Sequence, residues 1–373
     1  TSGANNVAVG NGSLENNTSA NNNTAVGHQS LSTNTTGTGL VAVGQGALES
    51  NTTANYNTAI GMNSLFANTT GASNVAVGYN AGAALTTGGI NTLIGSLSGD
   101  ALTIGNSNVA VGYNSLTTEV AGDRNVAVGY SALAVQTNAS TVDTYNTAVG
   151  YAAGGAITTG IANTLIGGLS GDALTTGNYN VTVGMHSLGT STTASSNTAM
   201  GYQSMFSTTT GANNVAIGRD ALYYNTTASH NIAVGQSALL ANTTGAENTA
   251  LGYNTLSANT TASNNTAIGS QTLKANTTGT ANTATGYKAL QSNTTASYNT
   301  ADGYQSLYYN TTGANNTASG YRALFANTTG SINVAVGSLA LQANTTASNN
   351  SAVGYHALYT NTTGASNTAM GLE

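Results

Sequence analysis

The sequence predicts an all-β fold: a parallel β-roll or β-solenoid of about 22 coils of 17 residues, running as one repetitive domain over residues 1–373. Three observations predict it. A pentapeptide of the form Asn-x-Ala-Val/Ile-Gly recurs 22 times, its glycines spaced 17 residues apart from Gly10 to Gly129 and again from Gly150 to Gly371. A turn tetrapeptide, Asn-Thr-Thr-Gly or Asn-Thr-Thr-Ala, begins seven residues after most of these glycines, as at Asn51–Ala54 and Asn242–Gly245. Charged residues make up only 4% of the chain and apolar residues 39%. Ordinary soluble domains carry roughly 25% charge, and a solvated disordered tail would carry far more charge and fewer apolar residues. Self-similarity at a fixed period is the mark of stacked repeats.

Within one coil the elements read in order. Asn-Val-Ala-Val, as at Asn6–Val9, is a short strand with period-two alternation. The glycine after it, such as Gly10 or Gly218, breaks it. A segment such as Tyr-Gln-Ser-Leu, with Leu four after the glycine in most coils, reads as a second strand. Asn-Thr-Thr-Gly then turns the chain, because Asn bonds its local backbone and Gly accepts positive φ.

The columns carry the packing argument. Asn stands four before the glycine in 21 of 22 copies, Asn6, Asn23, Asn214 and Asn333 among them, with Leu40 the exception. Between coils stacked at about 4.7–4.9 Å, such a column forms an amide ladder. Ala stands two before the glycine except at Leu93, Leu165 and Thr182, and an apolar residue mostly stands one before it. The expected interior is one Leu, one Val or Ile and one Ala per coil. So thin a coil buries little alone, and the Ala column predicts a crowded contact. The expected assembly is therefore a homotrimer, intertwined or side by side, in which each chain covers another's apolar face.

Four features depart from the simple repeat. The step from Gly129 to Gly150 carries four extra residues, placed within 135–145 and expected to loop out. Residues 79–188 form a variant sub-region, in which Tyr79–Leu116 and Tyr151–Leu188 resemble each other. That region loses the Leu column at Gly82, Gly99, Gly154 and Gly171, so its cross-section is expected to differ. Ten after the glycine, Ala and Gly alternate (Ala20, Gly37, Ala54, Gly71; Gly211, Ala228, Gly245, Ala262), which predicts a 34-residue unit. The chain opens in mid-pattern at Thr1 and closes in mid-coil at Glu373, which predicts a processed product or a fragment.

Chemistry is sparse. Five scattered basic residues (Arg124, Arg219, Lys274, Lys288, Arg322) form no basic patch, so no nucleic-acid partner is expected. No apolar run approaches the roughly 20 residues of a membrane span. The acids are dispersed, and Asp100 and Asp172 are copies of one repeat position four coils apart, too far to act as a glycosidase pair. No enzyme activity and no cofactor are expected. His28, His186, His230 and His356 never share a coil and read as surface residues. Thr285, Asp302 and Ser319 replace the apolar residue before the glycine in three successive coils. If that column faced a symmetry axis, Asp302 would be the candidate cation ligand; the plainer reading is a locally solvated column. Tyrosines often stand directly after the glycine, and further aromatics stand five or six after it. Tyr223, Tyr224, Tyr308 and Tyr309 are candidate glycan-stacking residues, although such rings equally suit packing between chains. Asn-Thr-Thr is also an N-glycosylation acceptor pattern; in a bacterial or viral fibre it reads as incidental turn chemistry, and only in an organism that glycosylates would it coat one side of the coils.

The repeats Asn6–Gly10, Asn74–Gly78, Asn125–Gly129, Asn214–Gly218 and Asn333–Gly337 resemble the head repeats of trimeric autotransporter adhesins, which are similar to repeats in phage tail fibre shafts. The resemblance implies a trimeric left-handed parallel β-roll that binds host surfaces, and it supplies no catalytic residues. The 17-residue coil is a few residues longer than the adhesin repeat. The expected function is the structural shaft or stalk of an adhesin, on a cell surface or in a virion tail fibre, mediating attachment to cells or surfaces. The expected partners are copies of the chain itself, as homotrimer or homopolymer, and a cell-surface glycan or protein receptor. At about 4.8 Å per coil, 22 coils give about 100 Å of rod. Two rival expectations are a self-polymerising extracellular filament subunit and an ice- or carbohydrate-binding solenoid using Thr ladders.

Overall fold

One three-residue strand, three left-handed corners and a glycine close each 17-residue turn. In the computed structural model, which describes residues 3–372, the strands are the cores of the pentapeptides, from Val7–Val9 and Thr24–Val26 to Thr368–Met370. There are 22 of them, giving a parallel β-solenoid of about 21 turns with no helix among the described residues. Thr1 and Glu373, on which the expectation about chain ends rests, lie outside the described residues. Pairing is parallel and offset by one repeat, as in Thr249↔Thr266, Ala250↔Ala267 and Leu251↔Ile268. The chain divides into two compact units, residues 1–186 and residues 187–373, each holding eleven of these strands.

The second strand expected in each coil does not form. The Leu-bearing segment is a turn, because its residues enter the left-handed region in alternation. In the coil that begins at Asn248, Asn254, Leu256 and Asn264 have φ of 50°, 49° and 63°. This conformation costs an L-residue about 1–2 kcal/mol, and complete burial of the leucine offsets it, Leu256 being 0% exposed. The glycine itself is required by space as well as by φ. At Gly252, with φ of 135°, an added Cβ would lie 2.6 Å from the Gly269 carbonyl oxygen.

Each unit closes its own core. In residues 187–373 the buried cluster runs from Leu188 to Ala357, and in residues 1–186 from Leu14 to Leu174. Two columns supply most of it, the Ala two before the glycine and the Leu four after it. Small residues three after the glycine, such as Ser64, Ala221 and Thr255, fill the space between them. The crowding read from the Ala column is therefore internal to one chain. The Val or Ile column expected inside instead faces outward: Leu251 and Ile268 are 44% and 39% exposed, while Ala250 and Ala267 beside them are 0% exposed. The reason is steric. Period-two alternation sends either the single Ala or its two larger neighbours inward, and against a leucine from the opposite wall only the methyl fits.

The variant region keeps the coil and redistributes the bulk. Leu93 replaces the inward Ala, and the flanking leucine positions become Gly82 and Gly99. A Cβ on either glycine would meet Leu93 methyls at 2.6 and 2.8 Å. Leu165 plays the same part between Gly154 and Gly171. Leu85, Leu102, Ile157 and Leu174 enter the core seven after the glycine, where most other coils carry Asn. Strand register is unchanged, Thr92 pairing with Val75 and Val109. Beside the four extra residues, Val142–Asp143 forms a small parallel pair with Gly122–Asp123, and Arg124 forms an ion pair with Asp143.

The 34-residue alternation has a physical basis. At Gly211, Gly245 and Gly279 an added Cβ would lie 2.1–2.4 Å from the carbonyl oxygen of the Ala one coil on, so these positions exclude any side chain. The residue after each donates its N–H to a side-chain oxygen of the next coil, Ala212 to Ser229, Ala246 to Ser263 and Thr280 to Ser297. Odd and even coils thus play different parts in one hydrogen-bonded pair.

Candidate functional site

The Asn column is a buried ladder whose amides are spent on the coils themselves, apart from Asn299 Nδ2, which is buried without an acceptor. Asn214 Nδ2 donates to Asn197 Oδ1 at 3.2 Å and to the Ala228 carbonyl at 2.9 Å, and its N–H donates to Asn197 Oδ1 at 3.0 Å. Asn333 repeats the pattern on Asn316 and Ala347. Asn6 and Asn23 bond the carbonyls of Ala20 and Gly37, and Asn23 Oδ1 receives the N–H of Leu40. Gly10 and Gly218 are spacers of the kind described for Gly252. These residues are structural, because each amide satisfies a backbone group that a tight coil leaves unpaired.

A second ladder is formed by the Asn of Asn-Thr-Thr. Asn242, Asn259 and Asn276 are 0% exposed, and each donates to the Oδ1 of the Asn one coil earlier at 2.9–3.1 Å. These sequons serve the turn, since their acceptor nitrogens point into the core, where a glycan has no access. The neighbouring Thr hydroxyls are also committed, Thr243 and Thr260 donating to the carbonyls of Thr260 and Thr277.

Glu119, which the sequence reading passed over, stands in this buried Asn column. Its carboxylate is 0% exposed. Oε1 accepts the N–H groups of Val120, Ala121, Gly122 and Asn138 at 2.7–3.2 Å, and Oε2 accepts Gln136 Nε2 and Asn138 Nδ2 at 2.8 and 2.9 Å. A nest of donors thus holds a buried charge and pins the start of the inserted segment. Counting columns would have found it, as an acid in an amide position.

The titratable candidates are not brought together. No group of three or more His, Asp or Glu side chains suited to a metal forms among the described residues. His28 and His230 are exposed, and His356 stacks on Tyr355 and Tyr359 with ring centroids 3.9 and 4.6 Å apart. Asp302 is exposed between Thr285 and Ser319 in the strand register and accepts the Thr285 hydroxyl. Asp100 accepts the Thr117 hydroxyl. Burial raises the Asp172 carboxyl above its ordinary range, its backbone hydrogen bonds and the nearby His186 opposing the shift. No helix among the described residues is long and apolar enough to cross a membrane.

The aromatics do assemble. Tyr113, Tyr130 and Tyr151 stack in successive coils at 5.4 and 5.3 Å, and Tyr287, Tyr304 and Tyr321 do so at 5.4 and 5.5 Å. The glycan-stacking candidates occupy the other aromatic columns. Tyr223 stacks on Phe206 and meets Tyr224 edge-on; Tyr308 stacks on Phe325 at 5.3 Å and meets Tyr309 edge-on at 4.6 Å. Tyr308 and Tyr309 border a shallow groove of about 610 Å³. Tyr223 and Tyr224 do not line it.

Outside these columns the surface is dominated by the strand face. One and three before most glycines stand outward-facing β-branched or apolar residues, including Met200, Ile217, Ile232, Leu251 and Ile268, all 38–44% exposed. No family model and no curated protein sequence matches the chain.

Proposed function

We propose that this chain is the shaft of an extracellular adhesive fibre, on a cell surface or in a virion tail fibre, built from parallel copies of itself. The supporting observation is the outward strand face. It presents apolar and β-branched residues in two columns throughout each unit, and in residues 187–373 its charged member is Asp302. Exposed apolar area that continuous is rare on a soluble monomer and is a surface for association. The trimer expected from the sequence uses this face in place of the Ala column. The mechanism is mechanical, each unit of eleven coils contributing roughly 50 Å of stiff spacer hydrogen-bonded from coil to coil.

Mass measurement in solution combined with electron microscopy tests the proposal. The expected result is a rod with three times the chain mass. A monomer with no tendency to associate would overturn it, and lengthening with concentration would favour the filament reading. Asp302→Val, which restores the column, should lower the concentration at which copies associate; an unchanged midpoint by sedimentation would count against the face.

One observation favours a second reading. Many residues three before the glycine are Thr (Thr249, Thr266, Thr283, Thr300, Thr317), so part of the same face is a regular hydroxyl and methyl array. Such an array suits an ordered surface such as ice, and a thermal-hysteresis assay that reads zero would dispose of that version.

A further inference from the structure

The groove beside Tyr308 is a gap in a ridge. Five after the glycine, successive coils of residues 187–373 carry Phe206, Tyr223, Leu240, Ser257, Lys274, Gln291, Tyr308 and Phe325. Six after it, Tyr224 and Tyr309 stand at the two ends of a run of Ala and Ser. Aromatic and aliphatic rings and branches therefore give way to one small and two unbranched polar side chains for three coils between Leu240 and Tyr308. At about 4.8 Å per coil the two walls stand about 19 Å apart. The residues lining the gap include Asn254, Ser257, Lys274, Gln291 and Ser292.

The walls are not alike. Tyr308 is stacked on Phe325, one coil later, at an interplanar angle of 17°. One coil earlier stands Gln291, not an aromatic, so the ring's other face is turned on the gap. Tyr309 stands at 87° to Tyr308 and is 48% exposed. Together they make an aromatic corner at one end of a polar floor. On that floor Gln291 Nε2 reaches Gln271 Oε1 at 3.5 Å, while Gln291 Oε1 lacks a donor. Lys274 is the charged side chain of the lining.

The geometry points to a binding site for a short carboxylate-bearing oligosaccharide. A pyranose has an apolar face for the Tyr308–Tyr309 corner and a rim of hydroxyls for the amides and hydroxyls of the floor. Lys274 takes a carboxylate, complementary in sign on a chain of net charge −6. An extended peptide would require a free strand edge for its backbone. The inference deepens the adhesive half of the proposed function and does not depend on assembly, because the groove and the outward strand face are separate columns of the repeat.

Saturation-transfer NMR and calorimetry with trigalacturonate, 3′-sialyllactose and neutral cellotriose test the site. The acidic sugars should bind, with about a two- to five-fold preference over cellotriose that Lys274→Met removes. Tyr309→Ala should weaken binding about tenfold or more, as loss of an aromatic anchor does. Tyr224→Ala, an exposed tyrosine outside the groove, should leave binding unchanged. No transfer from any of the three sugars at millimolar concentration overturns the site, as does equal loss in Tyr224→Ala and Tyr309→Ala. Either failure beside intact trimeric rods leaves the shaft standing; binding by a chain that never associates removes the shaft and keeps the site.

Discussion

Removing one amide from the first Asn ladder should loosen the coils around it and leave the rest of the unit unchanged. In Asn248→Ala the donor bonds to Asn231 Oδ1 and the Ala262 carbonyl are lost, as are the acceptor bonds from the N–H and Nδ2 of Asn265. Most partners have a second bond. Asn231 Oδ1 keeps the Asn248 N–H, the Ala262 carbonyl keeps Asn259 Nδ2, and Asn265 Nδ2 keeps the Gly279 carbonyl. The N–H of Asn265 has no replacement acceptor in the ladder. An unmatched buried N–H costs about 1–3 kcal/mol and the lost donor bonds about 1 more, so local stability falls by about 2–4 kcal/mol. Stacked coils open in local units. Hydrogen exchange should therefore accelerate by about 30- to 1,000-fold at Ile232, Thr249 and Thr266, whose N–H groups bond between these coils, with distant coils unaffected. Thr261→Ala, at an exposed turn position, is the control and should change little. If protection at those amides moves less than about threefold, the ladder is decorative and the reasoning fails.

Gly252→Ala should destabilise by at least about 3 kcal/mol, because its Cβ meets backbone at 2.6 Å, whereas Gly168→Ala, with nothing within 4 Å, should melt like the parent. Equal melting temperatures for the two would refute the close-approach account. Leu93→Ala should cost about 2–5 kcal/mol as a core truncation, and adding Gly82→Leu should recover a good part of it, since the added side chain occupies the vacated space; a double variant weaker than the single would disprove the exchange of bulk. Because the Asp172 carboxyl is raised by burial, its contribution to folding is complete at pH below the ordinary carboxylate range and is lost as pH rises through its folded value. Asp172→Asn should remove that part of the decline in melting temperature on going from acid to neutral pH, and superimposable pH profiles would argue against it.

The period and its columns were legible because each side chain in a stack meets the same column one coil on, so a requirement in space becomes a spacing in sequence. The Asn ladder is the clearest case: Asn248 and Asn265 touch because they are 17 apart. The facing of the strand was not legible from hydropathy. Val-Ala-Val invites the larger residues inward, and the contrary signal was variability. The position three before the glycine accepts Thr, Val, Ile or Ser, while the Ala hardly changes. The turn around Leu256 was also hidden, since leucine has little local preference for positive φ and adopts it here because the core holds it. Among the sites, the single tyrosines were visible, but the groove was not. Three coils of small or polar residues after Leu240 in its column define it, and no aromatic motif does.

The constant register has a genetic consequence. Outside the variant coils, every second coil offers its successor much the same backbone surface, so within a unit, loss or gain of 34 residues recreates the strand pairing and the Asn ladder with new partners of the same kind. Unequal recombination between such similar stretches would lengthen or shorten the stack without passing through a misfolded intermediate. The length of the stack is then a trait that selection can tune in steps of about 10 Å, while the strand pairing stays as it was.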